Sequence, residues 1–230
     1  MATFNRVYAD RQEAGVELAR AVGKRRLRAP VLVLGLARGG VPVAQKVAET
    51  LHAPLDVMIV RKVGMPGQPE LAIGAVASGD IVVRERHTSS YLAERGINFE
   101  QLAERERTEV ERRERSYRAG LPPLDLKGRT AILVDDGLAT GSTMLAAVRA
   151  ARKAGAASVV VAAPVASREA YALVRAEADE VVILQTPQFL YAIGEWYTRF
   201  DQVEDAEVRS LLEASRKATP VAALELRAAS

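Results

Sequence analysis

The chain has 230 residues, 49% of them apolar, enough for one sizeable α/β core with additions. Its 32 Lys and Arg stand against 29 Asp and Glu, and a net charge of +3 is too even a balance to support a nucleic-acid-binding stripe. With no cysteine, the sequence excludes a disulfide frame, a thiol nucleophile and a thiolate metal site. No apolar run reaches about 18 residues and the first residues lack the apolar segment of a signal peptide, so the chain is expected to be soluble and cytoplasmic.

In chain order, Asp10 followed by Glu13 reads as a capping box, and Ala14, Leu18, Ala21 and Val22 carry helical spacing to about Gly23. The basic cluster from Lys24 to Arg28 closes that helix. Val31 to Leu36 reads as a buried strand, Ala37 to Gly40 as a glycine-rich loop, and Val41 to Leu51 as a helix with Pro42 in its first turn. A strand from Leu55 to Arg61 follows, then a Gly- and Pro-rich loop from Lys62 to Glu70 and short strands near Ala72 to Ala77 and Ile81 to Arg84. His52 and His87 are isolated and read as surface or helix-end residues.

From about residue 85 to 121 the character changes to a helical insertion. Its main helix starts near Asn98, carries a thin apolar stripe (Phe99, Leu102, Ala103, Val110, Tyr117), and places Glu109 with Arg113, Glu111 with Arg115 and Glu114 with Arg118 at i, i+4. It reads as a solvated, ion-paired helix; an Arg-bearing flap or partner-contact arm is the other reading. Strands at Ser158 to Ala163 and Val181 to Leu184, around a helix from Arg168 to Ala176, complete a doubly wound, mainly parallel sheet with a core from about 31 to 184. A C-terminal segment of about 186–216 ends in a helix from Glu204, and a tail runs over 217–230. The whole is expected to be a single domain.

The most informative stretch is Thr130 to Thr143. An apolar strand, Ala131 to Val134, runs into Asp135 and Asp136 at its carboxyl end, and Ala139, Thr140, Gly141, Ser142 and Thr143 make a small-residue turn opening a helix. Backbone N–H groups and hydroxyls converging at a helix N-terminus suit a phosphate. The carboxylates before them repel one, but can accept hydrogen bonds from sugar hydroxyls or hold a cation. The lysine of a triphosphatase phosphate loop is missing, as is the Gly-x-Ser-x-Gly elbow of an α/β hydrolase.

This string resembles the phosphoribosyl pyrophosphate (PRPP) binding motif of the type I phosphoribosyltransferases. The resemblance implies Asp135 and Asp136 on the ribose 2′- and 3′-hydroxyls and residues 139–143 around the 5′-phosphate. It further implies that Ala37, Arg38, Gly39 and Gly40 bind pyrophosphate, with an unusual cis peptide at Ala37–Arg38. Arg61 and Lys62 would open the family's flexible catalytic loop and meet pyrophosphate oxygens, while Glu70 either approaches the site or faces solvent. Mg²⁺ would be held largely by PRPP and water, with Asp135 or Asp136 in reach directly or indirectly.

Family members also carry a hood that grips the acceptor. Residues 186–200 hold the sole tryptophan and four other aromatic residues in a chain that is 5% aromatic. Phe189, Tyr191, Gly194, Glu195, Trp196 and Tyr197 are therefore acceptor-hood candidates, the other reading being a satellite core against the C-terminal helix. Purine 6-oxo enzymes usually carry Asp directly before the motif's Thr; this chain has Ala139, as the adenine enzymes do. The implied activity is phosphoribosyl transfer to a nitrogenous acceptor, with a nucleobase as the expected class and a non-catalytic PRPP or nucleotide sensor as the alternative. Homodimers are common in similar proteins.

Overall fold

The computed structural model describes residues 6–85, 92 and 94–218, with the backbone alone at Pro69 and Glu70. Eight strands are present among them: β1 (Val31–Leu36), β2 (Leu55–Met58), β3 (Val60–Met65), β4 (Gln68–Ala77), β5 (Ile81–Arg84), β6 (Thr130–Val134), β7 (Ser158–Val165) and β8 (Glu180–Gln185). The α-helices are α1 (Arg11–Val22), α2 (Gly40–Leu51), α3 (Phe99–Tyr117), α4 (Ser142–Lys153), α5 (Arg168–Arg175) and α6 (Asp205–Ala218). His87, the side chain of Glu70 and the tail from 219 lie outside the described residues. Among the described residues no helix is long and apolar enough to cross a membrane.

The apolar strands are buried on both faces, as a parallel sheet covered by crossover helices requires. Val33, Ile132, Val134 and Val160 face one core with Leu18, Val41, Val47 and Leu212, whereas Leu34, Leu133, Val159 and Val161 face the other with Met144, Val148 and Val174. Thus α1, α2 and α6 cover one side, α4 and α5 the other. The five parallel strands run in the order β2-β1-β6-β7-β8. Sequence order therefore reverses between β1 and β6, which pair from Val31 with Thr130 to Gly35 with Val134. A reversal of this kind opens a crevice beyond the carboxyl ends of the two strands, and the loops at 37–40 and 135–143 both lie there.

The single strand read from Leu55 to Arg61 breaks at Ile59. Ile59 and Ser78 exchange hydrogen bonds of 2.9 Å in both directions, Ile59 N–H donating to the buried Ser78 hydroxyl and Ser78 N–H to the Ile59 carbonyl. That clamp turns the chain out of the parallel sheet and into a three-stranded antiparallel sheet, β3-β4-β5. The expected loop from Lys62 to Glu70 is accordingly a hairpin: Pro66 and Gly67 form its turn, and β4 starts at Gln68. Helix α3 packs on this sheet through Phe99, Ala103 and Val110.

Two local expectations also shift. At α1, Asp10 Oδ1 accepts from Gln12 N–H and Glu13 N–H at 3.0 Å, but Glu13 reaches back to Ala9 N–H, 2.6 Å away, one residue short of a closed capping box. On α3, Glu109 pairs with Arg113 as spaced, whereas Arg118 forms a two-edged pair with Asp56 on β2, Nε to Oδ1 at 3.0 Å and Nη2 to Oδ2 at 3.0 Å. Their side chains are 9% and 13% exposed. Tertiary contact outcompetes helical spacing here because a buried two-edged guanidinium–carboxylate pair is worth more than an exposed i, i+4 one.

Candidate active site

At the carboxyl end of β6 the two acidic side chains meet the backbone of the loop after β1. A Cβ at Gly39 would fall 2.1 Å from Asp136 Oδ2, and one at Gly40 would fall 2.4 Å from the Val134 carbonyl oxygen. Gly39 has an ordinary helical φ of −59°, so closeness, not torsional freedom, demands glycine. The Ala37–Arg38 peptide is cis. The expected pyrophosphate loop and the expected ribose-binding acids thus share one surface.

Both carboxylates are partly buried. Asp135 Oδ1 accepts from Asp136 N–H at 2.9 Å; burial first, and the neighbouring Asp136 second, push its carboxyl well above the usual range. Burial also raises Asp136, opposed by Arg11, whose Nε donates to Asp136 Oδ2 at 2.8 Å. The Asp136 carbonyl accepts from the Tyr197 hydroxyl at 2.6 Å.

The turn behind the acids leads into the N-terminus of α4. Gly141 has φ +75°, and its Cβ position lies 3.1 Å from Ala170 on α5, so a side chain there would be both strained and crowded. As N-cap of α4 it offers no side-chain bond. Thr140 Oγ1 lies 3.2 Å from Ser142 Oγ and accepts weakly from Ser142 N–H at 3.4 Å. Ser167 fixes the turn from outside, donating to the Ala139 carbonyl at 2.7 Å. An anion can therefore be received by the first turn of α4 with hydroxyls at its rim.

The cations are placed less directly. Arg38 lies 3.5 Å from Asp205, which also accepts from the Tyr117 hydroxyl at 2.6 Å; burial and that bond push Tyr117 up to about 12. Arg61 Nε donates to Glu106 on α3 at 2.8 Å. Arg61 and Lys62 oppose Val76 and Ala75 in the hairpin register, and neighbours on a strand project to opposite faces. With Arg61 turned toward α3, the structure does not bring Lys62 to the same side.

The six hood candidates divide. Trp196 and Tyr197 are buried with Tyr8, Ala14 and Val165, and Tyr8 N–H donates to the Trp196 carbonyl at 2.9 Å. The satellite core is real, but it packs the N-terminal segment and α1 rather than the C-terminal helix. Phe189 and Tyr191 are exposed, their rings stacked 6.4 Å apart. Glu195 is exposed, and Gly194 lies half-buried beside Phe200.

Among the described residues, no group of three or more His, Asp or Glu side chains is arranged to hold a metal ion. Asp135 and Asp136 could supply at most two carboxylates, and Mg²⁺ would take the rest of its octahedral shell from ligand oxygens and water. A cavity of about 580 Å³ lies elsewhere, between β5 and the C-terminal half of α4. It is lined by the ion-paired Arg149, Glu85 and Glu177, whereas the acids, glycines and helix terminus converge only at the β1–β6 crevice.

Sequence reasoning passes over Arg11, Ser167, Glu106 and Asp205. Arg11 lies 125 residues from Asp136 and Asp205 lies 167 from Arg38, distances at which no local pattern signals contact. Only the strand order makes them neighbours.

The model of the phosphoribosyl transferase domain family matches residues 8–196. The crystal structure of TT1426 from Thermus thermophilus superposes with a TM-score of 0.82 at 44% identity, covering 90% of this chain and 97% of that one. Proteins from two strains of Mycobacterium tuberculosis, named provisionally as phosphoribosyl transferases, are 42% identical over 218 residues, 92% of this chain and 48% of their own length. The chain therefore spans about half the length of those curated relatives. With its parallel sheet, acidic strand end and family match in accord, the chain belongs to the phosphoribosyl transferase domain family.

Proposed function

We propose that this chain transfers the 5-phosphoribosyl group from PRPP to a nitrogenous acceptor, a nucleobase by preference, with release of pyrophosphate. One observation carries the reading: Asp135 and Asp136 abut the bare backbone of Gly39 and Gly40, so pentose-binding acids and an anion-binding loop border one crevice, with the first turn of α4 behind the acids. A sugar carrying phosphoryl groups at both ends fits that alternation of anion-repelling and anion-accepting surfaces.

In the reaction the lone pair of an acceptor nitrogen forms a bond to the anomeric carbon as the bond from that carbon to pyrophosphate breaks, the electron pair leaving with pyrophosphate. The acceptor's proton passes to solvent or to a pyrophosphate oxygen. The Ser142–Lys153 helix terminus and the Thr140 and Ser142 hydroxyls would anchor the 5′-phosphate, Asp135 and Asp136 would fix the ribose, and the Gly39 and Gly40 backbone would receive the leaving group. Arg38 and Arg61 are the cations assigned to pyrophosphate. Bound Mg²⁺, carried largely by PRPP oxygens, would supply charge neutralisation for the leaving group.

A PRPP-sensing role has one observation in its favour: Arg38 and Arg61 are already paired with Asp205 and Glu106. The experiment that separates the two is a screen of purines, pyrimidines and small amines for PRPP-dependent pyrophosphate release with Mg²⁺ present. Release with at least one acceptor is expected. PRPP binding without release across the panel would transfer the reading to the sensor, and no binding at all would end both.

A further inference from the structure

Arg11 is the cation that touches the acidic pair among the described residues, and three separate elements hold it there. It is the first residue of α1, directly after the Asp10 cap that fixes the helix start. Its Nε donates to Asp136 Oδ2 at 2.8 Å, its Nη1 donates to the Asp201 carbonyl at 2.7 Å, and its guanidinium carbon lies 3.8 Å from the centre of the Phe200 ring. The Arg11 and Asp136 side chains are 12% and 13% exposed. A flat guanidinium restrained on both edges and one face has almost no freedom to swing.

The Asp136 carboxylate lies against the bare backbone of Gly39, and Arg11 binds its Oδ2. An aspartate otherwise chooses among rotamers and splays away from an adjacent like charge. Here Arg11 ties down one oxygen and so restricts how the carboxylate can turn.

Resting on the phosphoribosyl reading above, we infer that Arg11 is a positioning residue for the pentose: by binding Oδ2 of Asp136 it fixes the carboxylate with Oδ1 presented to a ribose hydroxyl. Arg11 itself contacts no ligand. Its contribution should therefore appear only with sugars that carry the ring hydroxyls.

The test is calorimetric binding of ribose 5-phosphate and of 2,3-dideoxyribose 5-phosphate, which lacks both ring hydroxyls, to the full chain and to Arg11→Gln. The native chain should prefer ribose 5-phosphate by at least about tenfold, as one charge-assisted hydrogen bond gives. In Arg11→Gln the preference should fall to about threefold or less, with dideoxy-sugar affinity within about twofold of native because the phosphate turn is untouched. An equal loss for both sugars, leaving the ratio intact, would mean that Arg11 only braces the fold, and the inference is overturned. Should Arg11→Gln unfold, Arg11→Lys supplies the same ratio: it keeps the charge but not the two-edged geometry, and an undiminished preference again overturns the inference. A native chain that binds neither sugar, or both alike, removes the pentose reading and the role of Arg11 with it.

Discussion

The β1–β6 crevice and the antiparallel hairpin beside it handle charge in opposite ways. In the crevice two partly buried carboxylates lie against glycine backbone, and Arg11 pairs with one of them, Asp136. At the hairpin, Arg61 keeps 43% of its side chain exposed and is held by Glu106, itself 26% exposed, and Arg107 shares Asp80 and Glu104. The first region is fixed by excluded volume and low dielectric, so an altered atom there has nowhere to go. The second is an exchangeable set of surface pairs, each worth little and open to competition from an arriving anion.

The sharpest way to break that contrast is Gly39→Ala. A methyl group 2.1 Å from Asp136 Oδ2 must displace the carboxylate or the loop. Overpacking of this kind costs about 1–3 kcal/mol of stability, and PRPP-dependent turnover should fall by about 100-fold or more, since both the acid and the pyrophosphate loop move. Native turnover in a folded Gly39→Ala chain would show that the two are not one surface. Asp136→Ala removes the acceptor for the ribose and also leaves the Arg11 guanidinium without its carboxylate. Losing one charge-assisted hydrogen bond, about 1.5–3 kcal/mol, predicts a drop of roughly 10- to 150-fold in turnover with PRPP, and an unchanged PRPP affinity and rate would contradict the assignment.

Asp135→Asn tests the burial itself. Because burial raises the folded-state carboxyl above its unfolded value, the folded chain binds that proton more tightly. Its stabilising effect is complete below the unfolded pKa of about 3.9 and is lost as pH rises through the higher folded value. Asparagine removes this loss while its side-chain oxygen can still accept from Asp136 N–H. The variant should be about 1 kcal/mol more stable than the native chain at neutral pH, roughly 2–4 °C in Tm for a domain of this size. The two melting curves should converge toward pH 4, and a gap independent of pH would refute the account.

The two regions also differ in how far the sequence reveals them. Crevice elements are local: a strand with four consecutive apolar residues, two acids and a turn of small residues lie within fourteen positions, and the glycine pair follows its own strand directly. Hydrophobic runs with glycine turns are likewise enough to place the parallel strands and their class. The hairpin escapes such a reading because Gly64, Pro66 and Gly67 announce a turn without saying how tightly it closes, and the Ile59–Ser78 clamp that ends β2 spans 19 residues. Helical spacing assigns Arg118 to Glu114, yet the partner that prevails is Asp56, 62 residues away. The aromatic cluster of 189–200 is visible in the sequence, but the burial of Trp196 and Tyr197 on Tyr8 depends on a pairing between distant parts of the chain.

The smallest effect is the one that bears most directly on whether the hairpin takes part in the site. If Arg61 serves an arriving pyrophosphate, Glu106 competes with it for the same guanidinium, because one edge of Arg61 is already engaged at 2.8 Å. Glu106→Gln keeps the shape and a hydrogen-bonding oxygen but removes the competing charge. An exposed pair of this kind contributes up to about 1 kcal/mol, so PRPP affinity should rise by about two- to fivefold in the variant, with Tm lowered by no more than a few degrees. The gain should shrink at high salt, since screening already weakens the native pair. Ribose 5-phosphate, which has no pyrophosphate, should bind native and variant chains alike. A gain with both ligands would instead indicate a general change in charge around the crevice, and no gain with either would leave Arg61 as part of the α3–hairpin interface rather than of the site.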